Sequence, residues 1–353
     1  PSQQRAFSLL QIFALNPNSK VFILKGYAGT GKTTLMGGFI KWLDEKDITF
    51  SLLASTGRAA KILSDKTKSE ARTVHSHIYT FNDLDDDLEK MSSVQQELRV
   101  DDKGQISLLF DLKIIESESE KIYIVDESSM ISDTPDKSAS FAKFGSGELL
   151  KDLFKYDKKG KFIFVGDPCQ LPPIGQNISP ALSKEYIQNH YNITVEEFEL
   201  TEIVRQSSRS SIIDASVKVR ELYQNNPPVK FASFPLKNHP DIEIHSSHVS
   251  LLNSYIAQIR ENGFEHSTLI SQTNRHCSDL NKIIRNTLEK QSTQLEPGDI
   301  LMVTQNNYLT TLVNGDVVEV LQTGQKEYRC GLSFVKVHVR ELSSGETYSV
   351  LLI

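Results

Sequence analysis

Cysteine is scarce. Cys169, Cys277 and Cys330 are the only three in 353 residues, and no two are spaced as a metal-binding pair. That disfavours a zinc site or a disulfide framework and suits a reducing cytosol. Long hydrophobic runs are also lacking: no stretch of about 18 apolar residues occurs, which excludes a transmembrane helix and leaves no membrane partner to expect. The first residues, PSQQRAF, lack the basic-then-apolar layout of a signal peptide. Positive charge is in deficit, with 39 Lys and Arg against 45 Asp and Glu for a net −6, which by itself argues against a nucleic-acid partner. The distribution removes that objection. Residues 81–120 hold twelve acids and four bases, so this stretch is −8 and everything else sums to +2. The acidity is one local feature and does not exclude a polyanion elsewhere on the surface.

What is present is globular. Hydrophobic residues make up 39% and charged residues 24%. At roughly 150 residues per domain, the length implies two domains. VFILK (21–25), SLLA (51–54), IYIV (122–125) and FIFV (162–165) are continuous apolar runs alternating with helical patterns, one helix ending near Leu43 and another spanning about Gly57 to Leu63. Strands without polar alternation are buried on both faces, as in a parallel sheet covered by helices. This gives an α/β domain over 1–200, interrupted at 79–120. A second βα series follows, with IEIH (242–245) leading into a helix near 248–261 and STLIS (267–271) into one near 275–289. Beyond residue 295 the chain is β-branched and Gly-punctuated, which predicts a small β-subdomain.

Gly26-Tyr27-Ala28-Gly29-Thr30-Gly31-Lys32-Thr33 fits G-x-x-x-x-G-K-[ST] between a strand and a helix, the context this phosphate-binding loop requires. Its glycines let backbone N–H groups converge on phosphate oxygens at a helix amino end. Lys32 would reach the β- and γ-phosphates and the Thr33 hydroxyl would ligate Mg²⁺, so the pattern predicts a nucleoside triphosphate with Mg²⁺. Asp126-Glu127 ends an apolar strand. There Asp126 is placed to hold the metal through water, and Glu127 to orient and deprotonate the attacking water. FVGDPCQLPP puts Gln170 in the loop after the next strand, at the sheet edge where ligands sit, where it could contact the γ-phosphate.

Read in order, GYAGTGKTT, LLASTGRAAKIL, TVHS, IVDESSM, FVGDPCQLPPI, LTEIVRQ and VNGD resemble the superfamily 1B DNA helicases, in particular the RecD-like and Dda-like branch and its PIF-type relatives. The resemblance spans about residues 3–320. It implies two RecA-like P-loop domains with parallel sheets flanked by helices, ATP hydrolysis in a cleft between them, single-stranded DNA as partner, and 5′→3′ movement. It also implies recombination or repair proteins as further partners. On its terms 1–200 is the first RecA-like domain with a wedge or pin at 79–120, 201–294 the first part of the second, and 295–353 an SH3-like insertion. It assigns adenine reading to Gln3 and nucleotide contact to Gly26, Ala28, Gly29, Thr30, Gly31, Lys32, Thr33 and Thr34. Metal binding falls to Thr33 and Asp126, catalysis to Lys32, Glu127 and Gln170, and the arginine finger to Arg205.

For DNA, Ser55, Thr56 and Arg58 follow strand 51–54, and Thr73, His75 and Ser76 form a second polar cluster. Gln272, Thr273, Asn274 and Arg275 end strand 267–271. Such hydroxyls, amides and helix amino ends hold phosphates without reading bases. Tyr79 and Phe81, at the start of the acidic insert, are candidates for stacking. The helicases' last two motifs, a T-x-H-x-x-Q-G-type segment and an arginine-bearing one, do not occur, so the second domain is expected to be incomplete. A non-motor ATP-binding subunit that needs a partner or a further segment is the alternative. A third reading, an unrelated AAA+ protein, fits poorly with GDPCQLPP directly after a DE strand.

Overall fold

The computed structural model describes residues 2–81, 108–115, 120–135, 142–202, 211–225, 239–288, 295–304, 310–329 and 332–352. The chain divides into two compact units, Pro1–Gln206 and Ser207–Ile353. In chain order the first contains α1 (Ser2–Leu15), β1 (Val21–Gly26), α2 (Lys32–Glu45), β2 (Phe50–Ala54), α3 (Gly57–Thr67), β3 (Ala71–Thr73) and α4 (Val74–Ile78). Then come β4 (Tyr79–Phe81), β5 (Leu108–Leu112), β6 (Ile122–Asp126), β7 (Ala142–Phe144), α5 (Leu149–Tyr156), β8 (Lys161–Gly166), α6 (Lys184–Tyr191) and β9 (Val195–Leu200).

The four apolar runs become the centre of a six-stranded sheet ordered β3-β2-β6-β8-β1-β9, in which every pairing is parallel. Because side chains alternate across a strand, each run feeds two cores. Val21 and Ile23 join Val125, Phe162 and Phe164 under α4, α5 and α6. Phe22 and Leu24 join Ile122, Ile124, Ile163 and Val165 under α1, α2 and α3. In α2 the buried stripe is Leu35, Met36, Phe39, Ile40 and Leu43, a helical repeat facing the sheet. The sheet's outermost strand, β9, is half-polar (VEEFEL) and carries none of the continuous apolar signal of its neighbours.

The interruption contributes a small second sheet. β4 pairs antiparallel with β5, which pairs parallel with β7; residues 82–107 lie outside the described residues. Tyr79 is not available for stacking on a base. Its ring is buried at 4% exposure and its hydroxyl donates to Asp152 Oδ2 at 2.9 Å. Asp152 is itself buried and also accepts from Ser146 N at 2.8 Å and Ser146 Oγ at 2.7 Å. Removing this acceptor strands three donors, so Asp152→Ala is expected to lower stability by about 3 kcal/mol in urea denaturation. Asp152→Asn, which keeps one acceptor oxygen, should lose less.

The second unit holds α7 (Ser211–Asn225), α8 (His248–Asn262) and α9 (Asn274–Thr287). A four-stranded antiparallel sheet follows, ordered β10 (Ile300–Met302), β11 (Val317–Arg329), β12 (Leu332–Glu341) and β13 (Thr347–Leu352). Its core is Leu312, Val318, Val320, Val337 and Val339. Buried Asp299 ties this sheet to α9 through Arg285 Nη1 at 2.6 Å. The expected strands at 242–245 and 267–271 are not strands. Neither segment has regular secondary structure or pairs with a neighbour among the described residues, and Ile244 and Ile270 are 59% and 88% exposed. An apolar run becomes a strand only where a partner completes its hydrogen-bond ladder.

Candidate nucleotide-binding site

All six strands of the large sheet run the same way, so the carboxyl ends of β1, β6 and β8 share one edge. Residues 27–31 bridge β1 to α2 at that edge. Gly29 and Gly31 have φ of 83° and 84°, a region glycine enters without strain. Gly31 is the N-cap of α2 and offers no side chain to it, so no side chain of the cap competes with an anion for the helix's first N–H groups and dipole. The loop is organised on one carbonyl. Tyr27 O accepts from Thr30 N at 3.2 Å, buried Thr30 Oγ1 at 2.8 Å and Lys32 Nζ at 3.1 Å. Lys32 Nζ also donates to Gly26 O.

Gln3 comes to this loop because Ala6, Leu10, Phe13 and Ala14 anchor α1 in the core. Its Nε2 donates to Thr30 O at 3.0 Å, and a Cβ added at Gly31 would meet that nitrogen at 2.1 Å. Thr33 and Thr34 lie in the first turn of α2, and Ala28 is exposed at the loop's crest.

Asp126 ends β6, with β8 between it and β1. Its Oδ1 accepts from Glu127 N at 3.0 Å, and Glu127 takes a φ of 51°, strained backbone for a residue with a side chain. Burial raises the Asp126 carboxyl above the usual range, against the pull of the Glu127 N–H, Lys32 and Lys66. Burial, then the Asp126 charge, raises Glu127, against Lys32 and a hydrogen bond from Gln170. Gln170 is oriented in turn by Ser129 Oγ, which donates to its Oε1 at 3.1 Å. Lys32, Asp126, Glu127 and Gln170 are therefore electrostatically coupled. The Thr33 hydroxyl and the Asp126 carboxylate are oxygen donors of the kind that could hold a nucleotide-bound Mg²⁺, and the Lys32 ammonium is suited to phosphate.

Both carboxyl pKa values stand above their unfolded values. Each group thus favours the fold at low pH, and that contribution is lost as pH rises through the raised values. At neutral pH the pair opposes folding. Asp126→Asn is accordingly expected to raise the melting temperature of the nucleotide-free protein by about 2–4 °C, on the order of 1 kcal/mol. A lowered melting temperature in calorimetry would show the carboxylate to be a stabilising group.

Three of the residues expected to contact DNA, Thr56, Thr73 and Thr273, are helix N-caps. Thr56 caps α3, accepting from Ala59 N at 3.2 Å, and exposed Arg58 lies in that helix's first turn. Ser55 Oγ beside it is buried with no hydrogen-bond partner among the described residues. Thr73 caps α4 and also donates to Ser76 Oγ at 3.0 Å. His75 packs against Phe144 and Tyr79, with ring centroids 5.0 and 5.8 Å away, and burial lowers its pKa, which keeps it neutral near pH 7. In the second unit Thr273 caps α9, accepting from His276 N at 3.2 Å, while Gln272, Asn274 and Arg275 are exposed. Arg205 lies outside the described residues. Sequence reasoning passed over Ser129, although the serines of IVDESSM directly follow the acidic pair.

Residues 3–226 match the family described as AAA domain (AAA_30), which is found in RecD- and Pif1-like helicases. The chain belongs to this family. An uncharacterized protein of Acanthamoeba polyphaga mimivirus is 26% identical to this AAA domain protein over 344 residues, 91% of the chain and 64% of the viral protein. The chain thus spans just under two-thirds of that relative's length. Among solved structures, Pif1 helicase from Candida albicans aligns with a TM-score of 0.41 and 17% identity, over 99% of this chain and 78% of that one. Bacteroides sp. Pif1 in complex with ADP-AlF4 aligns at 0.37 and 18%, over 99% and 73%. Those scores are low, and the family assignment rests on the matched domain. No helix among the described residues is long and apolar enough to cross a membrane.

Proposed function

We propose that this chain is an ATP-dependent 5′→3′ translocase or helicase on single-stranded DNA, or the larger part of one, in a reducing, cytosolic setting. The convergence of Lys32, Asp126, Glu127 and Gln170 on one sheet edge is the observation that carries the reading. When bound, Mg²⁺ neutralises charge on the β- and γ-phosphates. Thr33 and Asp126 would hold it. Lys32 binds the phosphates, Glu127 takes a proton from the attacking water, and Gln170 orients Glu127. Arg205 is assigned the transition-state charge by its place in LTEIVRQ. Three threonine-capped helices, led by Thr56, Thr73 and Thr273, supply polar amino ends suited to a phosphate backbone.

Single-stranded DNA binding, read by fluorescence anisotropy, should weaken steeply with salt and depend little on base composition, with a log–log slope of about −0.7 per neutralised phosphate. Polarity is tested by ATP-driven unwinding of duplexes with a 5′ or a 3′ single-stranded tail. Preference for the 3′ tail, or salt-insensitive binding of one short duplex sequence, would sink the reading.

A further inference from the structure

Tyr27 is a bulky residue at a loop position that nucleotide chemistry does not need, and it is buried at 6% exposure. Its hydroxyl donates to Glu199 Oε1 at 2.5 Å, a charge-assisted contact. Glu199 sits on β9 level with Lys25, and the next pair in the register is Gly26 with Leu200. The side chain of Tyr27 thus fastens the loop to the sheet's last strand. Its carbonyl meanwhile receives Thr30 and Lys32, the residues that shape the phosphate cradle. Past Leu200 the chain leads to Arg205, six residues beyond Glu199.

We propose that Tyr27 and Glu199 form a positioning pair that couples nucleotide loading of the loop to the end of β9. The Tyr27 hydroxyl is engaged by Glu199 and Glu199 lies on β9, so both act through their neighbours. A loop drawn onto phosphate moves the Tyr27 carbonyl and ring as one unit, and the hydroxyl carries that displacement to Glu199. Glu199 is otherwise exposed, so its truncation leaves no buried charge unpaired. This inference rests on the nucleotide-site reading.

The experiment is steady-state ATPase on Tyr27→Phe, Glu199→Ala, Glu199→Gln and the Tyr27→Phe/Glu199→Ala double variant. Hydrogen exchange of residues 26–33 and 199–206, with and without a non-hydrolysable Mg·ATP analogue, runs in parallel. Tyr27→Phe and Glu199→Ala should each lower kcat about fivefold with KM within twofold. Glu199→Gln, which keeps an acceptor oxygen, should recover most of the rate, and the double variant should be no slower than either single one. In the wild type the analogue should protect both segments; in Tyr27→Phe it should protect only 26–33. If Tyr27→Phe fails to fold, the two Glu199 variants carry the same test. Multiplying losses in the double variant, a change in KM alone, unchanged kcat, or protection of 199–206 that survives Tyr27→Phe each overturn the pair. Absence of any analogue-induced protection of 26–33 in the wild type overturns the nucleotide-site reading itself, and the pair with it.

Discussion

Lys32→Ala is expected to abolish ATP hydrolysis, by at least about 10²–10³-fold, the loss that follows removal of one preorganised charge from a developing anion. Lys32 is the one cationic side chain in residues 26–34, and its ammonium is held at the loop's mouth by the carbonyls of Gly26 and Tyr27. On the proposed reading phosphate oxygens would replace those carbonyls as partners, so the variant should also bind nucleotide more weakly. The fold should survive, because α2 is anchored by Leu35, Met36, Phe39, Ile40 and Leu43 on its other face. Wild-type-like turnover in this variant would remove the loop from the mechanism.

Glu127→Gln is expected to separate binding from chemistry. The amide keeps the shape of the side chain but accepts no proton, so hydrolysis should fall about 10²–10⁴-fold while nucleotide affinity stays within a few-fold. The wild-type enzyme should show a matching pH signature. Because burial and Asp126 push the Glu127 carboxyl upward, the deprotonated base is lost at a higher pH than for an ordinary glutamate. In kcat/KM, which reports the free enzyme, activity should therefore fall on acidification along a limb displaced above the usual carboxylate range. Asp126→Asn removes the second-largest cause of that rise and should move whatever limb remains to lower pH. A variant that loses nucleotide binding as fully as Lys32→Ala would make Glu127 a structural residue.

The parts of the fold most legible in sequence were those buried on both faces. VFILK, SLLA, IYIV and FIFV admit only one environment, and each formed a central strand. The edge strand β9 was missed because VEEFEL exposes Glu197 and Glu199, so apolar continuity gave no signal. The helix α1 was missed because its apolar positions near the amino end are not set apart by flanking charge. IEIH and STLIS carry the same apolar signal as true strands but have no paired neighbour among the described residues. In the site, the loop and the acidic pair were readable from spacing alone, whereas the Ser129–Gln170–Glu127 chain and the Tyr27–Glu199 contact are tertiary and have no local signature.

The claim on which the rest depends is that the edge shared by β1, β6 and β8 binds a magnesium nucleotide. Isothermal titration calorimetry of the whole chain with a non-hydrolysable ATP analogue tests it most directly, with and without Mg²⁺, on the wild type, Lys32→Ala and Asp126→Asn. One-to-one binding is expected in the wild type, strengthened by Mg²⁺, weakened at least about tenfold in Lys32→Ala and stripped of its Mg²⁺ dependence in Asp126→Asn. Binding that ignores Mg²⁺ and survives both substitutions unchanged would contradict it.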